Sequence, residues 1–318
     1  MMETAVQKAF RHSMLWLIGL LPAEPRRRIE RRFRGWEEVG KLKDADIVVI
    51  SYGKSGRTWL RVMLSRFYQV AFGLDREEML GFDNLHRREP RVPRIFFTHD
   101  NFLKDYTGHS DSKIDYQGKR IVLLVRNPKD VAVSLFFQWK HRMRPNKKIL
   151  NRYPPDGSEI LIYDFVMSDR WGLPRVIGFM NLWAEEVPKF DDLMVVRYED
   201  MRADPEGALE KIMSFIGGPV SNEHIRDAVE YASVENMRKQ EESNDSRFTS
   251  GRMKPGQKGV RNSYKVRRAK VGGYRDYFAA EEIEAIDALA GSTLSSTYRY
   301  GTESPQPSSA MSEPVTVG

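Results

Sequence analysis

The sequence predicts an α/β fold: a single domain with a central parallel sheet flanked by helices, opening on a P-loop-like phosphate-binding strand, loop and helix. Three observations predict it. Short apolar runs rich in β-branched residues recur near 47–51, 94–98, 121–125 and 193–197. Helical runs near 56–71, 130–142, 172–188 and 204–216 alternate with them, and no Pro/Gly/Ser linker breaks the pattern between about 45 and 299. Alternating strands and helices joined by right-handed crossovers give a parallel sheet, which binds its ligand at the carboxyl ends of the strands.

In chain order, the first segment is 1–44, which reads as an apolar and basic helical stretch. Met14 to Leu21 is an eight-residue apolar run, far short of the ~20 residues that span a bilayer. Six arginines follow it, from Arg26 to Arg34. Two readings stand side by side: a peripheral membrane contact through residues 11–34, with arginines on anionic headgroups, or a helix packed on the core with a solvated basic continuation. A signal peptide is the third, disfavoured by its poor cleavage site. The main domain is expected over 45–300. The tail over 301–318, rich in Ser and Pro without apolar period, is expected to be disordered.

The domain opens with the strand Ile47 to Ser51, which breaks at Tyr52-Gly53-Lys54-Ser55-Gly56 into the helix beginning Arg57-Thr58-Trp59. The N–H groups of Ser55 to Thr58 are then the unpaired donors of a helix N-terminus aimed at an anion, with Lys54 as a mobile charge. A nucleotide triphosphatase loop is excluded, since no glycine holds its first position; Trp59 is equally foreign to that loop and suits stacking on a base. In the next strand, Arg94 to Thr98, the apolar body carries His99 to the same carboxyl edge. The strand at 121–125 delivers Arg126, and Asn127-Pro128 stops the ladder before a helix expected near Asp130, with Ser134 two turns on. The strand at 193–197 ends in Tyr198-Glu199-Asp200 and feeds a helix started by Asp204-Pro205. Near the end, Arg267-Arg268-Ala269-Lys270 forms a basic cluster before Gly272-Gly273.

Four of these segments resemble the motifs of the cytosolic-type sulfotransferases that use 3′-phosphoadenylyl sulfate (PAPS). The loop around Lys54 is similar to the family's Tyr-Pro-Lys-Ser-Gly-Thr-Thr-Trp, and Arg126 to Ser134 matches RNPKDVAVS at every position. The resemblance spans Ile47 to Phe278. It implies that Lys54, Ser55, Gly56, Arg57, Thr58 and Trp59 hold the donor's phosphosulfate and base, and that Arg126, Ser134, Arg267, Arg268 and Ala269 clamp its 3′-phosphate. It places Tyr198 near the adenine, whereas the residue alone reads equally as a core tyrosine with a wet hydroxyl. It makes His99 the catalytic base, although relatives acting on carbohydrates use a carboxylate there. Lys54 is assigned to charge building on the leaving oxygen, because sulfuryl transfer should share the loose transition state of phosphoryl transfer.

Departures accompany the matches. Arg57 replaces a hydroxyl with a second cation, Gly53 replaces proline, and Ala269 stands where the family has glycine, so a methyl approaches the phosphate. Ala232 and Val234 occupy places where the family sets a hydroxyl and a phenylalanine around the adenine.

Cysteine is absent and the six histidines are scattered, so no metal site is expected. A formal charge of +7 attracts polyanions without choosing among them. The expected activity is transfer of a sulfuryl group from PAPS to a hydroxyl acceptor, a lipid or other amphiphile, with a glycan or small aromatic alcohol as the alternative. Residues 72–93 and 142–170 are expected to shape the acceptor pocket. Nucleic acid is not an expected partner, since the basic residues gather at strand ends rather than on a recognition fold; a nucleotide kinase would need Mg²⁺ and its carboxylate. The expected location is cytoplasmic, at the inner membrane face if residues 11–34 engage lipid. The oligomeric state is left open.

Overall fold

The computed structural model describes residues 13, 18–75, 78–218, 220–242, 253, 256, 259 and 261–300. The tail expected to be disordered and the apolar residues 14–17 lie outside them. In chain order the elements are α1 (Ala23–Asp44), β1 (Ile47–Ser51), α2 (Arg57–Ala71), β2 (Ile95–Thr98), α3 (Leu103–Thr107), β3 (Arg120–Val125), α4 (Pro128–His141), α5 (Pro145–Leu150) and α6 (Ile162–Met167). They continue with α7 (Leu173–Glu186), β4 (Leu193–Arg197), α8 (Tyr198–Ala203), α9 (Pro205–Ile216), α10 (Asn222–Tyr231), α11 (Val234–Glu242) and α12 (Ala280–Thr293). The strands form one parallel sheet in the order β2-β1-β3-β4.

Both faces of that sheet are covered, which is why its strands read as unbroken apolar runs. Side chains alternate across the sheet, so Val48, Ile50, Ile121, Leu123 and Val125 enter one core with α4 and α7, while Ile47, Val49, Val122 and Leu124 enter the other with α2, α9 and α10. At about 1.5–3 kcal/mol for each fully buried large aliphatic side chain, these two layers fix the register, and with it the height at which each strand ends.

Two boundaries differ from expectation. The helix expected near Asp130 starts at Pro128, because Asn127 caps it by accepting from Lys129 N–H at 3.1 Å and proline suits the first helical turn. After β4 the chain does not stay extended through Tyr198; it coils at once into α8, and Asp204 then caps α9 by accepting from Gly207 N–H at 2.9 Å. This places Asp130 in the first turn of α4, buried at the edge of the cleft.

Between β1 and α2 the chain turns through two left-handed residues, Lys54 at φ +74° and Gly56 at φ +95°. A methyl group on Gly56 would lie 2.5 Å from Cδ2 of Tyr198. We predict that Gly56→Ala costs about 1–3 kcal/mol of stability and displaces the Tyr198 ring, read by chemical denaturation; an unchanged midpoint would show that the turn relaxes without cost.

Candidate active site

Each of the four strands delivers a residue to the same carboxyl edge. Lys54 follows β1, His99 follows β2, Arg126 follows β3 and Tyr198 follows β4, and all four line one cleft of about 1310 Å³. That exceeds the roughly 300–1,000 Å³ of a single small-molecule site and leaves room for two reactants. Helix α2 begins here at Gly56 without any side-chain cap, so the N–H groups of its first turn face the cleft with the positive end of the dipole.

Cations dominate the walls. Burial, and then Arg142, Arg126 and Arg267, push the Lys54 ammonium down to about 7, with buried Glu241 opposing. Lys265 is driven well below the usual lysine range by burial and by Lys54, Arg142 and Arg57. Arg126 ties three segments together: it donates to the Lys54 carbonyl at 3.3 Å and the Lys270 carbonyl at 3.2 Å, approaches Asp130 at 3.4 Å, and lies 4.3 Å over the Tyr198 ring. Arg267 stacks 4.0 Å over Phe137 and donates to the Tyr277 hydroxyl. Such crowding of like charge is unfavourable until an anion enters.

Two buried carboxylates hold this arrangement in place. Asp130 accepts from the N–H groups of Gly272 at 2.9 Å and Tyr274 at 3.0 Å, pinning the C-terminal basic segment onto α4. Glu241, fully enclosed, accepts from Lys265 N–H at 2.6 Å and Val266 N–H at 3.0 Å and pairs with Arg142 at 3.6 Å. Ala269 sits between these anchors at φ +52°, adopting with a methyl group the conformation that glycine takes freely.

The imidazole of His99 has its proton assigned by its partners. Nδ1 lies 2.8 Å from the Ser51 carbonyl, which can only accept, so Nδ1 carries the hydrogen. Nε2 lies 2.7 Å from an amino group of Arg57, which can only donate, so Nε2 presents its lone pair. Burial, then the Arg57 charge, lowers the pKa well below 6.5, and the Ser51 contact opposes them. The ring is a neutral acceptor at neutral pH.

Most of the sequence-derived residues meet in the cleft: Gly56, Arg57, Thr58, Trp59, Ser134, Arg267, Arg268 and Ala269 line it together with the four strand-end residues. Ser55 does not; it is buried, and its N–H points to the Tyr52 carbonyl at 3.4 Å. Trp59 is clamped by its Nε1–H on the Ala232 carbonyl at 2.9 Å, with Arg202 5.4 Å from its ring, and Val234 and Met237 continue that wall. Of the two stretches expected to shape the acceptor pocket, residues 142–157 reach the cleft and residues 72–93 do not. Sequence reasoning missed Arg142, Glu241 and Lys265, which belong to no motif, and gave no role to Asp130, although it lies inside the RNPKDVAVS match. His141, to which the sequence gave no site role, also lines the cleft, stacked on Phe137.

The family model described as "Sulfotransferase domain" matches residues 44–298. The chain belongs to the sulfotransferase family. Its relatives include "Sulfotransferase 2A2" of Mus musculus, 25% identical over 262 residues covering 78% of this chain and 84% of that protein, and "Sulfotransferase 2A1" of Rattus norvegicus, 26% identical over 265 residues with the same coverage. The fold is shared with a mouse sulfotransferase, SULT7A1, solved with PAP (TM-score 0.53, 20% identity, 81% of this chain and 89% of that one). It is shared equally with retinol dehydratase, solved with retinol and PAP (TM-score 0.54, 16% identity, 83% and 84%). This sulfotransferase is therefore an enzyme that moves a sulfuryl group from PAPS to a hydroxyl acceptor. Among the described residues no group of three or more His, Cys, Asp or Glu could hold a metal ion.

If Asp130 anchors the basic segment, Asp130→Ala should cost about 3–5 kcal/mol, since it strands buried donors and Arg126, and should weaken adenosine 3′,5′-bisphosphate binding in calorimetry. Wild-type affinity in this variant would contradict the anchoring role.

Proposed function

We propose that the donor lies along the mouth of α2 and the 265–270 segment, and that the acceptor hydroxyl meets it beside His99. The observation that carries this reading is the convergence of all four strand ends and the C-terminal basic segment on one cleft. The donor set fits a bisphosphorylated nucleotide: uncapped N–H groups, cations whose mutual repulsion an anion relieves, and an aromatic flank at Trp59 and Tyr198 for the base. Arg126, Ser134, Arg267, Arg268 and the Ala269 backbone would hold the 3′-phosphate. PAPS supplies an activated sulfuryl group, whose bond to the 5′-phosphate oxygen breaks as sulfur bonds to the acceptor oxygen.

The chain's own part is electrostatic and positional. Lys54, beside the first turn of α2, stabilises charge on the departing phosphate oxygen. His99 takes the acceptor's proton at Nε2, which requires Arg57 to release that nitrogen; the freed guanidinium, which already acts on Lys265, then adds its charge to that side of the cleft. Held by Ser51, the imidazole presents Nε2 as its acceptor before the transfer, and the imidazolium that forms keeps its Nδ1–H on that carbonyl.

The N-terminal helix supports a second, peripheral role. Leu20, Leu21, Ile29 and Trp36 are exposed beside the exposed Arg28 and Arg32, a pattern suited to an anionic membrane surface. Arg27, Arg31 and Arg34 instead pair with Glu24, Asp105 and Glu30 within the fold. Among the described residues no helix is long and apolar enough to cross a membrane.

Lys54→Ala should lower kcat by about 100-fold or more with little change in donor affinity, whereas Arg126→Ala should weaken donor binding by about 10- to 100-fold. Equal turnover by the Lys54 variant and the parent would contradict the assignment. The pH profile of kcat/KM follows from the free enzyme. His99 must be unprotonated and its pKa is depressed, so the acid limb should fall below pH 6.5; Lys54 must be charged and titrates at about 7, so the alkaline limb should begin near neutrality. A profile flat to pH 9 would remove Lys54 from the charged role.

A further inference from the structure

The cations of the cleft form two groups that meet at Arg57, which acts on Lys265 as well as on Lys147. The charges that act on Lys54 are Arg142, Arg126 and Arg267, with Lys265 beside it. Those that act on Lys147 are Arg34, Arg144 and Arg57, and Lys147 in turn acts on His99. The first group surrounds the proposed donor. The second comes from α1, the start of α2, the N-cap of α5 and α5 itself, and two of its members, Arg57 and Lys147, act on His99, where the acceptor is proposed to land.

Within the second group Arg34 is paired with Glu30 at 2.7 Å and Arg57 donates to His99, so the members that matter here are Arg144 and Lys147. Arg144 and Lys147 line the cleft and make no side-chain hydrogen bond or ion pair among the described residues. Their neighbour Lys148 shows the contrast: it is buried on the other side of α5, salt-bridged to Asp156 at 2.6 Å and set 5.2 Å from the Trp139 ring. Among the described residues, the carboxylates that line the cleft are Asp130 and Asp156. The first is committed to Gly272 and Tyr274 and the second to Lys148. Arg175, on the same wall, donates to the carbonyls of Asn151 and Arg170 and, among the described residues, meets no carboxylate. A neutral, apolar acceptor would strip water from these cations and return nothing, a net loss in a partly enclosed site. An anionic one would gain charge-assisted hydrogen bonds from each.

We propose that the acceptor carries, besides the hydroxyl offered to His99, an anionic group of phosphate, sulfate or carboxylate type that Arg144 and Lys147 recognise. This rests on the sulfotransferase reading of the cleft and adds the class of acceptor. The group arrives on a soluble metabolite or on a lipid headgroup; both present the same chemistry to α5.

The test is calorimetry on the full chain saturated with adenosine 3′,5′-bisphosphate, so that the donor cations are occupied. Benzyl phosphate is compared with benzyl alcohol, and dihexanoyl phosphatidylglycerol with dihexanoylglycerol. Each anionic probe should bind at least about 10-fold more tightly than its neutral counterpart. The double variant Arg144→Ala with Lys147→Ala should lose that preference while binding the bisphosphate within about 2-fold of the parent, and Arg144→Lys should keep most of it. Tighter binding of the phospholipid than of benzyl phosphate assigns a lipid headgroup, and the reverse a soluble ester. Equal binding of anionic and neutral probes by the parent, or a preference that survives the double substitution, overturns the proposal and leaves the donor reading intact. Failure of the bisphosphate itself to bind overturns both.

Discussion

Confinement of Lys54 among Arg126, Arg142, Arg267 and Lys265 at the carboxyl edge of the sheet is the constraint around which the rest of the molecule is arranged. Side chains of one sign cannot be crowded in this way by local preference. They are brought together by a sheet whose register is fixed from both faces, and by two enclosed carboxylates, Asp130 and Glu241, that hold backbone N–H groups rather than the cations alone. A carboxylate engaged by backbone donors cannot swing away to quench a lysine, so the excess positive charge stays directed at the cleft.

The same logic explains strain at the site. Lys54 and Ala269 both adopt left-handed backbone conformations without being glycine. Each is worth about 1–3 kcal/mol of unfavourable energy, small against two full layers of buried aliphatic side chains. That surplus of packing energy is what lets a lysine be turned into the cleft and a methyl-bearing residue follow the path of the C-terminal segment.

Much of this was legible from residues alone, and the reason lies in period and punctuation. Ile47 to Ile50 and Ile121 to Val125 are apolar on both faces and can only be buried strands; Asn127-Pro128 and Asp204-Pro205 mark helix starts by chemistry that needs no tertiary contact. The strand-end residues followed from the parallel arrangement. What stayed hidden is held by contacts distant in sequence: Glu241 gripping Lys265, Asp130 gripping Gly272, and Arg57 reaching His99 across 42 positions. The different settings of Lys147, which lines the cleft, and Lys148, buried against Asp156, were equally invisible, since the two are adjacent in the chain and differ in which side of α5 they occupy.

Arg57, where the family often has a hydroxyl residue, puts a guanidinium on Nε2 of His99, which keeps the imidazole neutral and holds that nitrogen. On the proposed reading of His99 as the base, an acceptor hydroxyl would have to compete with Arg57 for Nε2.

The central claim is that the cleft is an electrostatic cavity whose missing counter-charge is the donor. Its most direct test is nuclear magnetic resonance titration of the Lys54 ammonium, with and without adenosine 3′,5′-bisphosphate. The account predicts a pKa of about 7 in the free enzyme and a clear upward shift when the nucleotide is bound. An ordinary lysine value in the free enzyme, or a depressed one that the nucleotide leaves unmoved, would contradict it.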